Sequence, residues 1–146
     1  MPRRALLALC LLAAATAGCG GGGKKEDAQT RAARKAAEAY VHDLGNRDGE
    51  AVCGDVTAPL RKQITDAVVR ANPEVAGRSC GEIMTLILRS LPSDQLDQFT
   101  TAKIENTKVT GKNGTFVYRL HDIRVDGRVT RAEGPWRVSC CVPGQG

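Results

Sequence analysis

Aromatic side chains are scarce in this sequence. Two Phe, two Tyr and one Trp make up 3% of its 146 residues. Sites that stack sugars or cage quaternary amines need several aromatic faces, so this composition argues against both classes of protein. The 21 basic residues form no Lys/Arg block interleaved with aromatics, and the formal net charge is only +5. We therefore predict no nucleic-acid partner.

Metal-binding and catalytic signatures are also missing. The sequence has two His and six Cys but no C-x-x-C or H-x-x-H spacing. We therefore predict no metal site and no cofactor. It contains neither a serine nucleophile elbow nor a phosphate-binding glycine loop, so the common hydrolase and nucleotide-binding classes have no support.

The first 18 residues have the layout of an export signal. Arg3 and Arg4 precede an apolar run over residues 5–15, and small residues follow as far as Gly18. This run is shorter than the about 20 apolar residues that a membrane-spanning helix needs. We predict a signal peptide over residues 1–18. An ordinary secretory signal and a twin-arginine signal both remain open.

The residues around Cys19 refine that prediction. Ala17-Gly18-Cys19 resembles the end of the lipobox of bacterial lipoproteins. The resemblance implies that the Cys19 thiol receives a diacylglyceryl group, that palmitate is part of the anchor, and that Cys19 becomes the new N-terminus. Gly20–Gly23 and the polar residues after them cannot bury apolar surface. Residues 19–30 are thus predicted to be a flexible tether, and residues 31–146 a single domain.

Helical periodicity and helix-end signals dominate the first half of that domain. Apolar residues recur at helical spacing up to Leu44, and Gly45 supplies a stop. Thr57 and the S-x-x-E capping box at Ser79–Glu82 predict two further helix starts. The predicted helices cover 28–44, 48–53, a segment from Thr57 that breaks at 71–77, and 80–91.

After about residue 102 the pattern changes to strands. The predicted strands are 103–110, 115–125, 128–133 and 135–141. Turn signals lie at Gly111–Gly114 and at Asp126-Gly127, because Asn-Gly and Asp-Gly favour tight hairpins. Helices followed by an antiparallel meander predict an α+β fold.

The strand over 115–125 contains a break in its alternation. Phe116, Tyr118 and Leu120 share one parity, whereas Ile123 and Val125 share the other. A continuous strand would place the two sets on opposite faces. A β-bulge near His121-Asp122 would return both to one face and bend the sheet.

The order of elements carries a resemblance. Helices, a bent meander and a final G-x-W-x-V at 134–138, with D-x-E-A-V-C at 48–53 and Ser79-Cys80, resemble the nuclear-transport-factor-2-like superfamily over about residues 30–142. More narrowly, the chain is similar to small bacterial lipoproteins of that fold. The resemblance implies N-terminal helices packed on a curved antiparallel sheet, a cystatin-like cone with a conical cavity.

The same resemblance points to weak catalytic candidates. Enzymes of the superfamily use His/Asp or Asp/Tyr pairs inside the cone, and Tyr40, Tyr118, His121 and Asp122 are the residues that match in type. Histidine suits acid–base work near neutral pH. Neither His121-Asp122 nor His42-Asp43 is expected to act as a dyad alone, because adjacent residues do not face each other. Exposed polar residues around a bend are the simpler interpretation.

Four cysteines remain in the domain, where an exported chain meets an oxidising compartment. Four thiols allow three complete pairings. The layout of the resembling lipoproteins favours a Cys53–Cys80 disulfide between helix ends. Strand alternation predicts that Cys140, which shares parity with Val138, faces the core and that Cys141 faces outward. A vicinal disulfide between these two would require a distorted peptide.

These observations predict a lipid-anchored protein on the extracytoplasmic side of the cell membrane. Its domain is expected to be non-catalytic and to bind a small ligand or an envelope protein. The alternative is an isomerase- or dehydratase-like enzyme that uses the cone cavity. A deep cavity where His121 meets an acid would favour the enzyme, and a filled interior with an apolar outer sheet face would favour partner binding.

Overall fold

The structure, a computed structural model, describes residues 25–143 and the side chains of residues 25–140. The predicted signal peptide, the lipidation site Cys19 and the first part of the tether lie outside this range. The helices are α1 (Ala28–Gly45), α2 (Gly49–Asp55), α3 (Ala58–Ala71), α4 (Cys80–Ser90) and α5 (Ser93–Thr101), with a 3-10 turn at Pro73–Val75. The strands are β1 (Ile104–Thr110), β2 (Asn113–Leu120), β3 (Ile123–Thr130) and β4 (Arg137–Pro143).

The four strands form one antiparallel sheet in the order β1-β2-β3-β4. The five helices pack against it, which confirms the predicted α+β class and is consistent with the expected cone. No helix within residues 25–143 has the length and apolarity needed to cross a membrane.

Local capping explains where the helices begin. Asp27 caps α1 by accepting hydrogen bonds from the backbone N–H groups of Gln29 and Thr30, both at 2.9 Å. The first helix therefore starts at Ala28, within the segment assigned to the tether. At α4 both halves of the predicted capping box are present, with the Ser79 side chain bonded to the Glu82 N–H and the Glu82 carboxylate to the Ser79 N–H. Such boxes satisfy backbone donors that a helix leaves unpaired.

Helix α5 is a feature that the sequence pattern did not predict. It carries few apolar residues, and only Leu96 is buried on it. Its position comes from tertiary contact, because Gly45 at the end of α1 lets the backbone of Thr100 approach to 2.8 Å of where a Cβ would stand. Packing of this kind overrides weak local signals.

Two apolar clusters hold the layers together. One lies between α1 and the sheet and includes Ala37, Phe116 and Val138, all fully buried. The other lies among the helices and includes Cys53, which is 4% exposed. Cys53 forms the predicted disulfide with Cys80, across 27 residues and a Cα–Cα distance of 6.1 Å. The bond joins α2 to the start of α4.

The predicted bulge at His121-Asp122 is wrong. Strand β2 ends at Leu120 and β3 begins at Ile123, so His121 and Asp122 form the turn of a tight hairpin. The ladder is regular on both sides, with Leu120 opposite Ile123 and Tyr118 opposite Val125. Opposed residues of an antiparallel pair share a face, so a two-residue turn reunites the two apolar sets. His121 adopts φ 51°, in the left-handed region.

The turn predicted at Asp126-Gly127 is also wrong, because both residues lie inside β3. Gly127 sits directly opposite Phe116, and a Cβ on Gly127 would collide with the Phe116 ring. The glycine therefore serves close packing beneath an aromatic ring. The other predicted turn is confirmed at Gly111, which has φ +61° between β1 and β2.

Candidate functional site

Side chains fill the space between α1 and the sheet. Phe116 is fully buried there, and the Tyr118 ring stacks on it with centroids 6.1 Å apart. The Phe99 ring is tilted against the Tyr118 ring, with centroids 6.4 Å apart. Tyr118 retains only 4% exposure. These contacts make Tyr118 a core residue rather than the wall of a deep cavity.

The structure does not bring the four weak catalytic candidates together. Tyr40 is half-buried and packs against both apolar clusters. His121 and Asp122 are exposed on the β2–β3 turn, at the surface, whereas Tyr118 lies inside. His121 borders a shallow cleft of about 250 Å³ that it shares with Glu105. Only the surface residues of the set could meet a ligand.

His42 and Asp43 do touch, although adjacent helical residues were not expected to. His42 Nδ1 lies 3.3 Å from Asp43 Oδ1. The His42 side chain is 67% exposed and Asp43 22% exposed. The Asn46 side-chain amide, one turn later, is 2.9 Å from His42 Nδ1. Solvent reaches this histidine freely, so the contact organises the C-terminal end of α1 at the surface.

Asp43 also lies near a second carboxyl group, that of Asp55, which the sequence did not reveal. Val56 pairs with Val138, and the Thr57 N–H donates to the Val138 carbonyl at 2.9 Å. This contact brings Asp55, at the end of α2, alongside Arg137 of β4 and near Asp43 of α1. Asp55 Oδ2 is buried and has no hydrogen-bond partner among the described residues.

The environment of Asp55 favours its neutral form. Burial first, and then the neighbouring Asp43 carboxyl, raise the pKa of Asp55 from 3.8 to about 7. The positive charge of Arg137 opposes the rise, and the Asp48 carboxylate makes the smallest contribution to it. Among the side chains described, those of residues 25–140, no three of His, Cys, Asp or Glu are grouped as metal ligands would be.

The outer face of the sheet, opposite the helices, carries an open groove. Lys108, Thr115, Arg128 and Cys140 form one row across it, because each stands opposite the next on β1 to β4. We call these four residues the outer row. The groove holds about 390 Å³ and is also lined by Asp126. The space continues along the strands into a second cleft that shares Lys108 and Arg128.

The charges in this groove are only partly balanced. Arg124 forms an ion pair with Asp126 at 2.8 Å, and outside the groove Arg119 pairs with Glu105 at 3.2 Å. Lys108 and Arg128 have no acidic partner within 4.0 Å among the described residues. The outer row therefore presents two uncompensated positive charges. The outer face is polar and charged, so it is not the apolar face that would have favoured partner binding, and a partner there must be recognised by charge.

The prediction that Cys140 faces the core is wrong. The β3–β4 register shifts between Arg128 and Val129, which leaves Ser139 as an extra residue on β4. Val138 faces the core and is fully buried, whereas Cys140 lines the outer groove as a half-buried free thiol. A bulge thus exists, but on β4. The side chain of Cys141 lies outside the described residues.

No family model matches this chain, and neither a curated protein nor a solved structure matches it. The resemblance to lipoproteins of the nuclear-transport-factor-2-like superfamily therefore stays a prediction.

Proposed function

We propose that this chain is a lipid-anchored protein on the extracytoplasmic side of the cell membrane, and that its domain binds a partner protein without catalysis. The observation that carries the binding half is the location of open space. The core between α1 and the sheet is packed with fully buried side chains, while the outer face holds a groove of about 390 Å³. A ligand approaching the outer face of the sheet meets this groove, which the uncompensated cations Lys108 and Arg128 line.

The proposed anchor rests on Cys19 and on the glycines that follow it. Two acyl chains hold a protein stably on a bilayer, because each buried methylene contributes about 0.8 kcal/mol. The tether predicted after Cys19 would then let the domain turn its outer face toward neighbours in the envelope.

Replacing Cys19 by Ala tests the anchor. We expect the wild-type chain, expressed in a bacterial host, to enter the detergent phase of a Triton X-114 extraction and the variant to enter the aqueous phase. Intact-mass measurement should find diacylglyceryl on residue 19 of the wild type alone. Identical partitioning and identical N-terminal masses would contradict the proposal.

A photocrosslinking amino acid at Thr115 tests the binding surface. Thr115 is exposed at the centre of the groove, and Gln63 is an exposed control position on α3. We expect position 115, and not position 63, to capture one envelope protein. That protein, once purified, should bind the purified chain in the absence of other components. Equal capture from both positions, or no binding after purification, would refute a partner site on this face.

The isomerase- or dehydratase-like alternative draws on the Asp43–Asp55 pair. A carboxyl group that keeps its proton near neutral pH is a feature of acid–base enzymes. Neither carboxyl lines the outer groove, the second cleft beside it or the cleft that His121 borders. Partner binding is therefore the function that the geometry supports better.

A further inference from the structure

We propose that the partner presents an acidic segment, whose carboxylates bind Lys108 and Arg128 across the outer row; this inference rests on the proposed partner-binding function. The two cations stand on β1 and β3, on either side of Thr115 of β2. Neighbouring strands lie about 4.8 Å apart, so their backbones are separated by about 10 Å.

The spacing fits an extended peptide. Residues of an extended chain rise by about 3.3 Å each, so carboxylates two to four positions apart are separated by about 7–13 Å. Lys and Arg side chains are long enough to adjust to that range. Between them the Thr115 hydroxyl offers a donor, and Asn106 adds an amide at the groove wall. Carboxylates are thus matched by charge at two points and by hydrogen bonding between them.

The same face fits an anionic lipid surface less well. Membrane-surface segments carry clusters of four to eight Lys/Arg or an apolar stripe that inserts. The outer row has two uncompensated cations, and the Asp126 carboxylate lines the same groove. The large apolar side chains exposed within the described residues are Leu86 and Ile123, and neither lines the groove.

Asp126 supplies an internal test of the charge argument. Its carboxylate binds Arg124 through both guanidinium nitrogens Nε and Nη2, at 3.0 and 2.8 Å. Asp126→Asn removes the acidic group from the groove and releases Arg124. An acidic segment should then bind more tightly, whereas loss of a merely structural ion pair would weaken binding or leave it unchanged.

The experiment measures fluorescence anisotropy with the full mature chain in detergent. The probe is a labelled octapeptide of alternating Glu and Ser, and its Gln analogue is the neutral control. We expect the Glu peptide alone to bind, and salt to weaken it. Lys108→Glu with Arg128→Glu should reduce affinity by about tenfold, because reversing two exposed charges replaces attraction by repulsion. Asp126→Asn should raise affinity.

Lys62→Glu is the matched control, since Lys62 is exposed on α3 and makes an ion pair with Asp66 there. Its affinity should equal that of the wild type. Equal binding of the Gln peptide, or an equal loss in Lys62→Glu, would overturn the inference. So would binding to phosphatidylglycerol vesicles, but not to the peptide, that depends on Lys108 and Arg128. If the crosslink from position 115 persists in the double variant, the inference of an acidic segment is refuted, while the proposed partner-binding function stands.

Discussion

Asp55 makes the folding stability of this domain depend on pH in an unusual direction. Its pKa is raised from 3.8 to about 7 in the folded state, first by burial and then by the Asp43 carboxyl. Between these two values the folded state keeps a proton that the unfolded state has lost. Linkage then requires the free energy of unfolding to fall as pH rises. The stabilisation is complete below about pH 4 and is lost as pH passes 7.

The size of this contribution to the free energy of unfolding follows from how far the pKa of Asp55 is raised. Three pKa units correspond to about 4 kcal/mol at 1.36 kcal/mol per unit. Asp55 is only half-buried, so solvent screening reduces this to about 1–2 kcal/mol. Asp27, Glu82 and Asp126 have lowered pKa values through their hydrogen bonds, first to Thr30, Ser79 and Arg124 respectively. Their stabilisation, like that of Glu26 beside Arg34, is lost only as pH falls below about 5, so it does not affect the pH dependence between about pH 5 and 8.

Asp55→Asn removes the titration and keeps a neutral side chain of the same shape beside Asp43. We expect the variant to be more stable than the wild type at pH 8 by about 1–2 kcal/mol, and to show a flatter profile between pH 4 and 8. Guanidinium unfolding followed by circular dichroism measures this. Asp122→Asn, on the exposed β2–β3 turn, is the control and should follow the wild-type profile. A variant that is no more stable at pH 8, or a wild-type stability that rises from pH 5 to 7, would refute the reasoning.

Two other changes have expected magnitudes. Replacing Cys53 and Cys80 by Ala opens a loop with a sequence separation of 27, which should lower the free energy of unfolding by about 3–4 kcal/mol. If both thiols of the exported protein can be alkylated without reductant, the Cys53–Cys80 disulfide does not form and its prediction is wrong. Gly127→Ala forces a methyl group against the buried Phe116 ring and should destabilise by about 1–3 kcal/mol in thermal unfolding. Gly54→Ala on α2 meets no atom within 4 Å and should stabilise slightly; equal effects of both would contradict the packing argument.

Features that depend only on residues a few positions apart were predictable from the sequence. The Ser79–Glu82 capping box, the Thr57 cap of α3 and the glycine turn after β1 all act within a few positions, and all are present. The order of helices and strands is local in the same sense, and it was enough to predict the α+β class. The Cys53–Cys80 pairing came instead from the family resemblance, and it is also present.

The strand register, and the approach of residues from separate helices and strands, were decided by the tertiary structure alone. The alternation around His121 fits a bulge or a hairpin equally, and only the pairing of Leu120 with Ile123 selects the hairpin. One extra residue at Ser139 turns Cys140 from the core to the groove, because every residue after a bulge changes face. Asp43 and Asp55 belong to different helices, and the uncompensated Lys108 and Arg128 to different strands. Such groups act on each other through space, where sequence distance carries no information.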